Sequence, residues 1–383
     1  MYLRSGPSQI SGHADKNHFA LKENFLTLLT SYGWNEETAS AFQEYAGSEM
    51  LVGRVVAQQR GLLGVITETG LLQADSAGRL LHTSNPLDRP AIGDWVVCLP
   101  RLDEQRATIH AVLPRATCFV RKEVGKRTQL QVIAANIDVA YLVMTMGSDF
   151  NLSRLERYLA LTKESRAKPV IVLTKADLCD DITPIVSAVR ECAPSIDLQI
   201  VSSPKGLGLQ EIASYLDGHR TGVMVGSSGA GKSTLLNALL KTEHAATGAV
   251  SAHGGQGRHT TTHRELVCLP SGGLLIDTPG MRELGMVNAS EGLAAAFGDF
   301  ALEVEALAQN CRFRNCQHES EPGCAVRAAC ENGRLDERRW NNWVKMTREI
   351  SLQQQKGDPA MQREARREQL RLNRLSRKSK RNT

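Results

Sequence analysis

Three short motifs occur in an order that restricts the fold of this chain more than any other feature of its sequence. The tetrapeptide TKAD at 174–177 comes first, the glycine-rich GSSGAGKST at 226–234 second and DTPG at 277–280 third. The ordinary nucleotide-switch fold has its base-reading motif after the phosphate loop. The reversed order therefore predicts a nucleotide-binding α/β domain with a circularly permuted chain, whose third motif leads into a following domain.

The glycine-rich motif has the flanks that a phosphate loop requires. An apolar segment at 222–225 precedes it, and a helical pattern begins at Lys232. Glycines let backbone N–H groups face a β-phosphate, and the helix N-terminus adds its positive end. Lys232 then neutralises phosphate oxygens while Ser233 offers its hydroxyl to Mg²⁺. By itself this motif predicts only a nucleoside triphosphate.

DTPG and the loop before it supply the other phosphate and magnesium groups. Asp277 ends an apolar segment, as a carboxylate that holds Mg²⁺ does, and Gly280 can offer its N–H to a γ-phosphate. An ordinary turn at Pro279-Gly280 is the alternative. In the loop GRHTTT at 257–262 we choose Thr261 for Mg²⁺, although the spacing does not decide among the three threonines.

TKAD indicates which base is bound. A carboxylate at Asp177 accepts from both the N1–H and the 2-amino group of guanine, a donor pair that adenine lacks. Lys175 follows an apolar segment and can cover the face of the base, while Ser202 or Ser203 can give a backbone N–H to guanine O6. The motifs favour GTP, and a P-loop ATPase or kinase is the alternative.

Met281 follows DTPG at the position where many GTPases have a glutamine that orients the attacking water. Methionine cannot hydrogen-bond that water. We therefore predict slow intrinsic hydrolysis, with the missing group supplied by a bound partner or by a switch histidine such as His259.

Four of the nine cysteines lie at 311–330, and three of them belong to the pattern Cys311-x4-Cys316-x-His318-x5-Cys324. Three thiolates and one imidazole suit a closed tetrahedral Zn²⁺ site with a structural role. Buried reduced cysteines are the alternative to a metal site. Cys330 is the alternative fourth ligand, but the local spacing favours Cys324.

The net charge of +5 is concentrated at the C-terminal end of the chain. From Lys356 onward ten basic and three acidic residues give +7, so the remainder is close to neutral. Such an arm is typical of proteins that bind nucleic-acid phosphates, and a solvated tail that aids solubility is the alternative. No long apolar run and no apolar leader were found, so we expect a cytoplasmic protein without membrane contact.

The remaining pattern predicts five regions. Residues 1–50 form a polar extension with one amphipathic helix near 36–45, and 51–121 an oligonucleotide-binding (OB) type barrel, for which a structural adaptor is the alternative. Residues 122–284 alternate strands and helices of a mostly parallel sheet with one antiparallel hairpin. Residues 285–350 are helical around the Cys/His cluster, and 351–383 form the basic tail. The five predicted barrel strands are Gly53–Val56, Gly64–Thr67, Arg79–His82, Asp94–Val97 and Ala107–Val112.

Taken together, TKAD, GSSGAGKST, GRHTTT, DTPG and CRFRNCQHESEPGC resemble the motifs of the circularly permuted ribosome-assembly GTPases, specifically the small-subunit-dependent GTPase A family. The resemblance covers about residues 50–350. It implies an N-terminal OB fold, GTP hydrolysis stimulated by the small (30S) ribosomal subunit, a late role in maturing that subunit through 16S rRNA, and a C-terminal zinc domain. Thr174 stands where most GTPases have asparagine, so we expect a weaker hydrogen bond between the base loop and the phosphate loop.

We therefore predict a monomeric, multidomain protein with an OB-like barrel, a circularly permuted α/β P-loop GTPase domain and a helical zinc-binding domain. The alternative function is an RNA-binding zinc protein whose nucleotide is structural or regulatory. The predicted catalytic groups are Lys232, His259, Thr261, Asp277 and Gly280. The predicted nucleotide contacts are Thr174, Lys175, Ala176, Asp177, Ser202, Ser203, Gly226, Ser227, Ser228, Gly229, Ala230, Gly231, Lys232, Ser233 and Thr234. The predicted metal ligands are Cys311, Cys316, His318 and Cys324 for one structural Zn²⁺, and Ser233, Thr261 and Asp277 for the Mg²⁺ that accompanies GTP.

Overall fold

The computed structural model describes residues 28–59, 62–83, 85–122, 130–147, 149–242, 264–277 and 290–357. The predicted functional residues His259, Thr261 and Gly280 lie outside these ranges, as do Met281 and the tail after residue 357. Among the described helices, none combines the length and the apolar character needed to cross a membrane.

The amphipathic helix expected near the N-terminus is present as α1 (Glu36–Phe42), which continues into a short 3-10 turn. Asn35 caps it, because its side-chain oxygen accepts the Thr38 N–H at 3.0 Å. Just before the cap, the Trp34 ring meets the Trp95 ring edge to face with centroids 5.0 Å apart. The described part of the N-terminal extension, from residue 28 onward, therefore packs on the domain that follows it.

Five strands close into the predicted N-terminal barrel. They are β1 (Leu51–Gln59), β2 (Leu62–Thr67), β3 (Gly70–Ser76), β4 (Trp95–Arg101) and β5 (Arg106–Val112). The order β1-β2-β3-β5-β4 returns to its start, because β1 also pairs with β4. Val55, Val65 and Ile109 are fully buried inside the barrel.

One predicted barrel strand, Arg79–His82, is wrong. Arg79, Leu80 and Leu81 belong to a short helix, α2 (Gly78–Leu81), in which Leu80 is buried while Leu81 is 54% exposed. The third strand is β3 instead, whose buried Leu72 and Ala74 alternate with exposed neighbours. Its outward residues are mostly polar, and period-two alternation is the signature of a half-buried strand. The apolar pair Leu80-Leu81 had suggested a strand only through composition.

The central region is the predicted mostly parallel sheet, in the order β10-β9-β8-β11-β13-β12. All neighbours are parallel except β12 and β13, which form the antiparallel hairpin. An additional hairpin of β6 and β7, which the sequence did not predict, precedes the sheet. The strands are β6 (Cys118–Lys122), β7 (Leu130–Ala135), β8 (Val139–Thr145), β9 (Lys168–Thr174), β10 (Asp197–Ile200), β11 (Thr221–Val225), β12 (Arg264–Cys268) and β13 (Leu274–Asp277).

Helices cover both faces of this sheet. Those in the central region are α3 (Leu152–Ser165), α4 (Thr183–Cys192), α5 (Leu209–Ser214) and α6 (Lys232–Leu240). Along β8 the side chains alternate, so that Tyr141 packs with Leu235 of α6 on one face and Leu142 with Leu155 of α3 on the other. A parallel sheet needs burial on both faces, and the alternation supplies it.

The C-terminal region consists of α7 (Ser290–Ala308), α8 (Ala325–Glu331) and α9 (Glu337–Gly357). Its buried Phe297, Val326 and Trp340 belong to the same hydrophobic cluster as Leu155 and Leu159 of α3. The helical C-terminal region thus shares a core with one face of the central sheet.

The barrel and the central sheet are joined by strand pairing. Ala57 and Gln58 of β1 pair antiparallel with Glu265 and Arg264 of β12, which makes a continuous sheet of eleven strands. Such pairing links residues about 200 positions apart in sequence, and no local pattern indicates it.

Arg54 of β1 lies at this joint and is 2% exposed. Its guanidinium donates to Gly93 O at 3.2 Å, Asn136 O at 3.1 Å and Thr221 Oγ1 at 2.9 Å, and also to Tyr32 O. Burial lowers its pKa to about 10. The N-terminal extension, the barrel and the central sheet therefore converge on one buried cation.

Replacing Arg54 by methionine should destabilise the protein by about 3 kcal/mol, because several buried oxygens lose their donor together. Arg101→Met is the matched control, since Arg101 is 46% exposed and its ion pair with Glu104 is 3.9 Å long. That control should change stability by less than about 0.5 kcal/mol. Thermal unfolding of both variants checks this, and equal midpoints would show that Arg54 does not hold the joint.

Candidate nucleotide site and metal centre

The glycine-rich loop runs from the end of β11 to the first residue of α6. Gly229 and Gly231 have φ angles of +76° and +90°, in the region that favours glycine. A Cβ on Gly226 would lie 2.4 Å from Val143 O, so a larger residue does not fit there. Lys232 Nζ donates to Gly226 O at 2.8 Å and to Ser227 O at 2.6 Å. The lysine ammonium therefore reaches back over the loop, as a phosphate-binding lysine must.

The base-reading motif contacts this loop directly. Thr174 Oγ1 donates to Ala230 O at 2.6 Å and is buried. The bond expected to be weak with threonine is therefore present and short. It joins residues 56 positions apart, and it brings the ends of β9 and β11 to the same edge of the sheet, where α/β proteins bind ligands.

Asp177 and the segment after β10 also meet. Ser202 Oγ donates to Asp177 Oδ1 at 2.6 Å, and Ala176 N–H donates to Val201 O at 3.2 Å. The Ser202 hydrogen bond is the main cause that lowers the pKa of Asp177, so the group is a carboxylate at neutral pH. Lys175 adopts a left-handed conformation with φ +59°, which turns the chain sharply at the end of β9, inside the motif.

Two of the three residues predicted to bind Mg²⁺, Ser233 and Asp277, are among the described residues. Ser233 lies in the first turn of α6 and is half-buried, while Thr234, one residue later, is exposed. Asp277 is the last residue of β13, which runs parallel to β11 with Ile276 opposite Val223. Ser233 and Asp277 are thus both at the edge of the sheet that carries the phosphate loop. The other predicted magnesium ligand, Thr261, lies outside the described residues.

A polar cluster beside the phosphate loop was not foreseen from the sequence. Ser227 Oγ donates to Asp149 Oδ2 at 3.0 Å and accepts from Arg154 Nη1 at 3.2 Å. Arg154 Nη1 also donates to Asp149 Oδ2 at 2.8 Å, which closes a ring of three side chains. Asn151 caps α3 by accepting the Arg154 N–H at 3.0 Å, and an asparagine before a helical pattern is the local signal that could have indicated this helix start.

The four predicted zinc ligands converge. Their ligand atoms, from Cys311, Cys316, His318 and Cys324, all lie within 4.8 Å of one another. His318 Nδ1 is 3.3 Å from Cys324 Sγ and 3.6 Å from Cys311 Sγ, and the two sulfurs are 4.0 Å apart. Tetrahedral Zn²⁺ with ordinary bond lengths requires about 3.5 Å between nitrogen and sulfur and about 3.8 Å between sulfurs. The cluster fits a zinc ion, and Cys330 is not part of it.

Backbone groups hold the ligand loop in shape. Cys311 Sγ accepts the Ala325 N–H and Cys324 Sγ accepts the Arg327 N–H, each at 3.4 Å, which fixes the positions of the two sulfur atoms. Between the ligands, Glu321 accepts the N–H groups of Gln317, Glu319 and Ser320. These bonds lower the pKa of Glu321 to about 2.

Helix α3 docks the C-terminal region onto the central domain. Arg157 makes a bidentate pair with Glu349 of α9, with distances of 2.6 and 2.7 Å. Glu156, only 1% exposed, accepts from Arg338 at 3.1 Å and from Asn342 at 2.6 Å. Helix α9 is therefore held against the helix whose first turn reaches the phosphate loop.

Comparison with known proteins places this architecture in a family. The family model for the RsgA GTPase matches residues 112–287. A "small ribosomal subunit biogenesis GTPase RsgA" from Opitutus terrae is 42% identical over 344 residues, covering 88% of this chain and 93% of the relative. The protein of the same name from Streptomyces coelicolor is 43% identical over 345 residues, covering 89% and 92%.

Solved structures agree. The crystal structure of YjeQ from Thermotoga maritima covers 79% of this chain and 98% of its own, with a TM-score of 0.55 and 27% identity. YloQ, described as a circularly permuted GTPase, covers 79% of this chain and 95% of its own, with a TM-score of 0.51 and 26% identity. With its reversed motif order, its barrel and its Cys3His cluster, the chain belongs to the RsgA family of circularly permuted GTPases, which are GTP hydrolases.

Proposed function

We propose that this protein is a GTP-hydrolysing switch that binds the small (30S) ribosomal subunit, assists its late maturation and is stimulated by it. The observation that carries the nucleotide part is the 2.6 Å hydrogen bond from Thr174 to Ala230, which unites the base motif and the phosphate loop. The relatives' shared name, small ribosomal subunit biogenesis GTPase, supports the ribosomal part. We further propose a cytoplasmic monomer that contacts 16S rRNA and exchanges GTP and GDP.

Guanine is selected by Asp177, whose carboxylate is oriented by Ser202 and accepts the N1–H and 2-amino groups. The Ser202 N–H already donates to Leu207 O at 3.1 Å, so we assign the contact with guanine O6 to the N–H of Ser203. Lys175 covers the face of the base. Adenine leaves the carboxylate without a donor, which disfavours ATP.

The phosphates lie against the backbone N–H groups of the loop and the Lys232 ammonium, which stabilise negative charge as water attacks the γ-phosphorus and GDP leaves. Ser233 and Asp277 hold Mg²⁺, which when bound neutralises charge on the β- and γ-oxygens. We also assign Thr261 to Mg²⁺, Gly280 to the γ-phosphate and His259 to the attacking water. With Met281 in place of glutamine, we expect the isolated protein to turn over slowly.

The proposed division of labour follows the five regions 1–50, 51–121, 122–284, 285–350 and 351–383. The barrel, the C-terminal region with one structural Zn²⁺, and the basic tail bind the subunit. The central domain binds nucleotide. Structural zinc rather than catalytic zinc is proposed because four protein ligands leave no position for water.

Co-sedimentation tests the partner directly. The full chain is spun with purified 30S or 50S subunits in the presence of a non-hydrolysable GTP analogue, GDP or no nucleotide. We expect retention by 30S that is strongest in one nucleotide state, and no retention by 50S. Binding to neither subunit would remove the ribosome from the proposed function.

A flexible Gly/Ser linker inserted after Leu284 should uncouple the nucleotide from the subunit. Only Met281 to Leu284 separate DTPG from the C-terminal region in sequence. A movement of DTPG that follows the γ-phosphate should therefore be transmitted to the C-terminal region. The side-chain contacts Arg157–Glu349 and Glu156–Arg338 remain, so the domains should stay docked. GDP affinity should be unchanged while the difference in 30S affinity between nucleotide states shrinks. If the difference in 30S affinity between nucleotide states were unaltered, this segment would not be the connection that couples the nucleotide to the subunit.

A further inference from the structure

The ring of Asp149, Arg154 and Ser227 lies beside the phosphate loop, and the proposed function assigns it no role. Ser227 is the second residue of that loop, and its carbonyl oxygen accepts from Lys232 Nζ at 2.6 Å. Its hydroxyl is held from the other side by Asp149 at 3.0 Å and Arg154 at 3.2 Å. The ring thus fixes the residue that orients the phosphate-binding lysine.

The ring is also charge-assisted, which makes it stiffer than an ordinary hydrogen bond. The Arg154 hydrogen bond is the main cause that lowers the pKa of Asp149, and the positive charge of Lys175 contributes. The Asp149 carboxylate therefore bridges Ser227 of the phosphate loop and Arg154 of α3. It is 47% exposed, so burial does not explain its position.

We propose that Asp149, held by Arg154, is a positioning residue for nucleotide binding: through Ser227 it fixes the phosphate loop in the conformation that receives GDP and GTP. The proposal rests on the assignment of Gly226–Thr234 as the nucleotide loop. A flexible loop loses conformational entropy when the phosphates bind, which weakens binding. A loop that is already ordered avoids this entropic cost. Loss of the ring should therefore weaken binding of both nucleotides rather than slow the chemical step.

The test is the dissociation rate of a fluorescent GDP (mant-GDP) from the full chain, measured after mixing with excess GDP. Asp149→Asn and Ser227→Ala should each accelerate dissociation by about tenfold. Because both act on the same hydrogen bond, the double variant should also be near tenfold rather than a hundredfold. Ser227→Thr retains the hydroxyl and should accelerate dissociation less than Ser227→Ala does.

Asp197→Asn is the matched control. Asp197 pairs with Lys168 at 2.8 Å and is 43% exposed, but both residues begin their strands, at the edge of the sheet opposite the phosphate loop. This variant should release GDP at the wild-type rate. In steady-state hydrolysis with 30S subunits, Asp149→Asn should raise the KM for GTP about tenfold and leave kcat within about threefold.

These measurements distinguish a failure of the nucleotide-loop assignment from a failure of the positioning role of Asp149. If the wild type does not bind GDP, the assignment of the nucleotide loop itself fails. If the wild type binds and Asp149→Asn releases GDP at an unchanged rate, the nucleotide site stands and the positioning role is wrong. Multiplicative effects in the double variant, or a fall in kcat without a rise in KM, would also overturn it.

Discussion

Asp177→Asn should change the protein from one that prefers guanine nucleotides to one that prefers xanthine nucleotides. The carboxylate accepts two donors on guanine, whereas an asparagine amide must turn one N–H donor towards a group that is itself a donor. Xanthine has a carbonyl at the position of the 2-amino group, and the amide can donate to it. The Ser202 hydroxyl donates to Asp177 Oδ1 at 2.6 Å. It should still orient the asparagine side chain by donating to its one carbonyl oxygen.

We expect the affinity for GDP to fall by about 100-fold or more, because the amide cannot accept both guanine donors, while xanthosine diphosphate gains affinity. Competition against mant-GDP, or titration of each diphosphate by calorimetry, measures both changes. Asp181→Asn is the control, because Asp181 lies four residues later and its carboxylate accepts the Thr183 N–H at 2.9 Å. An unchanged base preference in Asp177→Asn would refute the guanine assignment.

Cys324→Ser should remove the metal and unfold much of the C-terminal region. Cys324 is 6% exposed and is both a predicted ligand and the cap of α8, where its sulfur accepts the Arg327 N–H. Metal binding supplies about 10 kcal/mol or more of folding free energy in small zinc modules. The packing of the short helices in this region should not replace that stabilisation when the metal is lost. The Trp340 ring lies 5.9 Å from the His318 ring and reports on the site by fluorescence.

The measured quantities are zinc per chain after extensive dialysis and the tryptophan emission of the purified protein. Wild type should hold one zinc, and Cys324→Ser should hold none and show red-shifted emission. Cys330→Ser is the matched control, because Cys330 lies nearby on α8 but outside the cluster of four ligands. Retention of zinc by Cys324→Ser, or its loss from Cys330→Ser, would show that the ligand set is wrong.

The phosphate loop and the zinc ligands could be predicted from the sequence because each depends on residues that are close together along the chain. The phosphate loop was recognisable because Gly226, Gly229 and Gly231 each meet a backbone requirement that only glycine satisfies. Cys324 rather than Cys330 was favoured because zinc ligands lie close together in sequence, and the geometry agrees. In both cases the residues that define the feature are near neighbours along the chain.

Features that depend on distant residues were missed or misread. No pattern around Arg54 indicates that it binds Tyr32, Asn136 and Thr221, since such contacts exist only after the barrel and the sheet have met. The Asp149–Ser227 bond links residues 78 positions apart for the same reason. The third barrel strand was misplaced because Leu71, an apolar residue on the outward face, interrupts the alternation that buried Leu72 and Ala74 carry on the inside.

The rate of GTP hydrolysis with and without ribosomal subunits tests the proposed switch most directly. The full chain is assayed under multiple turnover alone, with 30S subunits and with 50S subunits, and the Lys232→Ala variant gives the background. We predict slow hydrolysis alone, acceleration of at least about tenfold by 30S, and none by 50S, because the subunit must complete a site that lacks a glutamine. Equal rates in the presence and absence of 30S subunits would contradict a GTPase activated by the small ribosomal subunit.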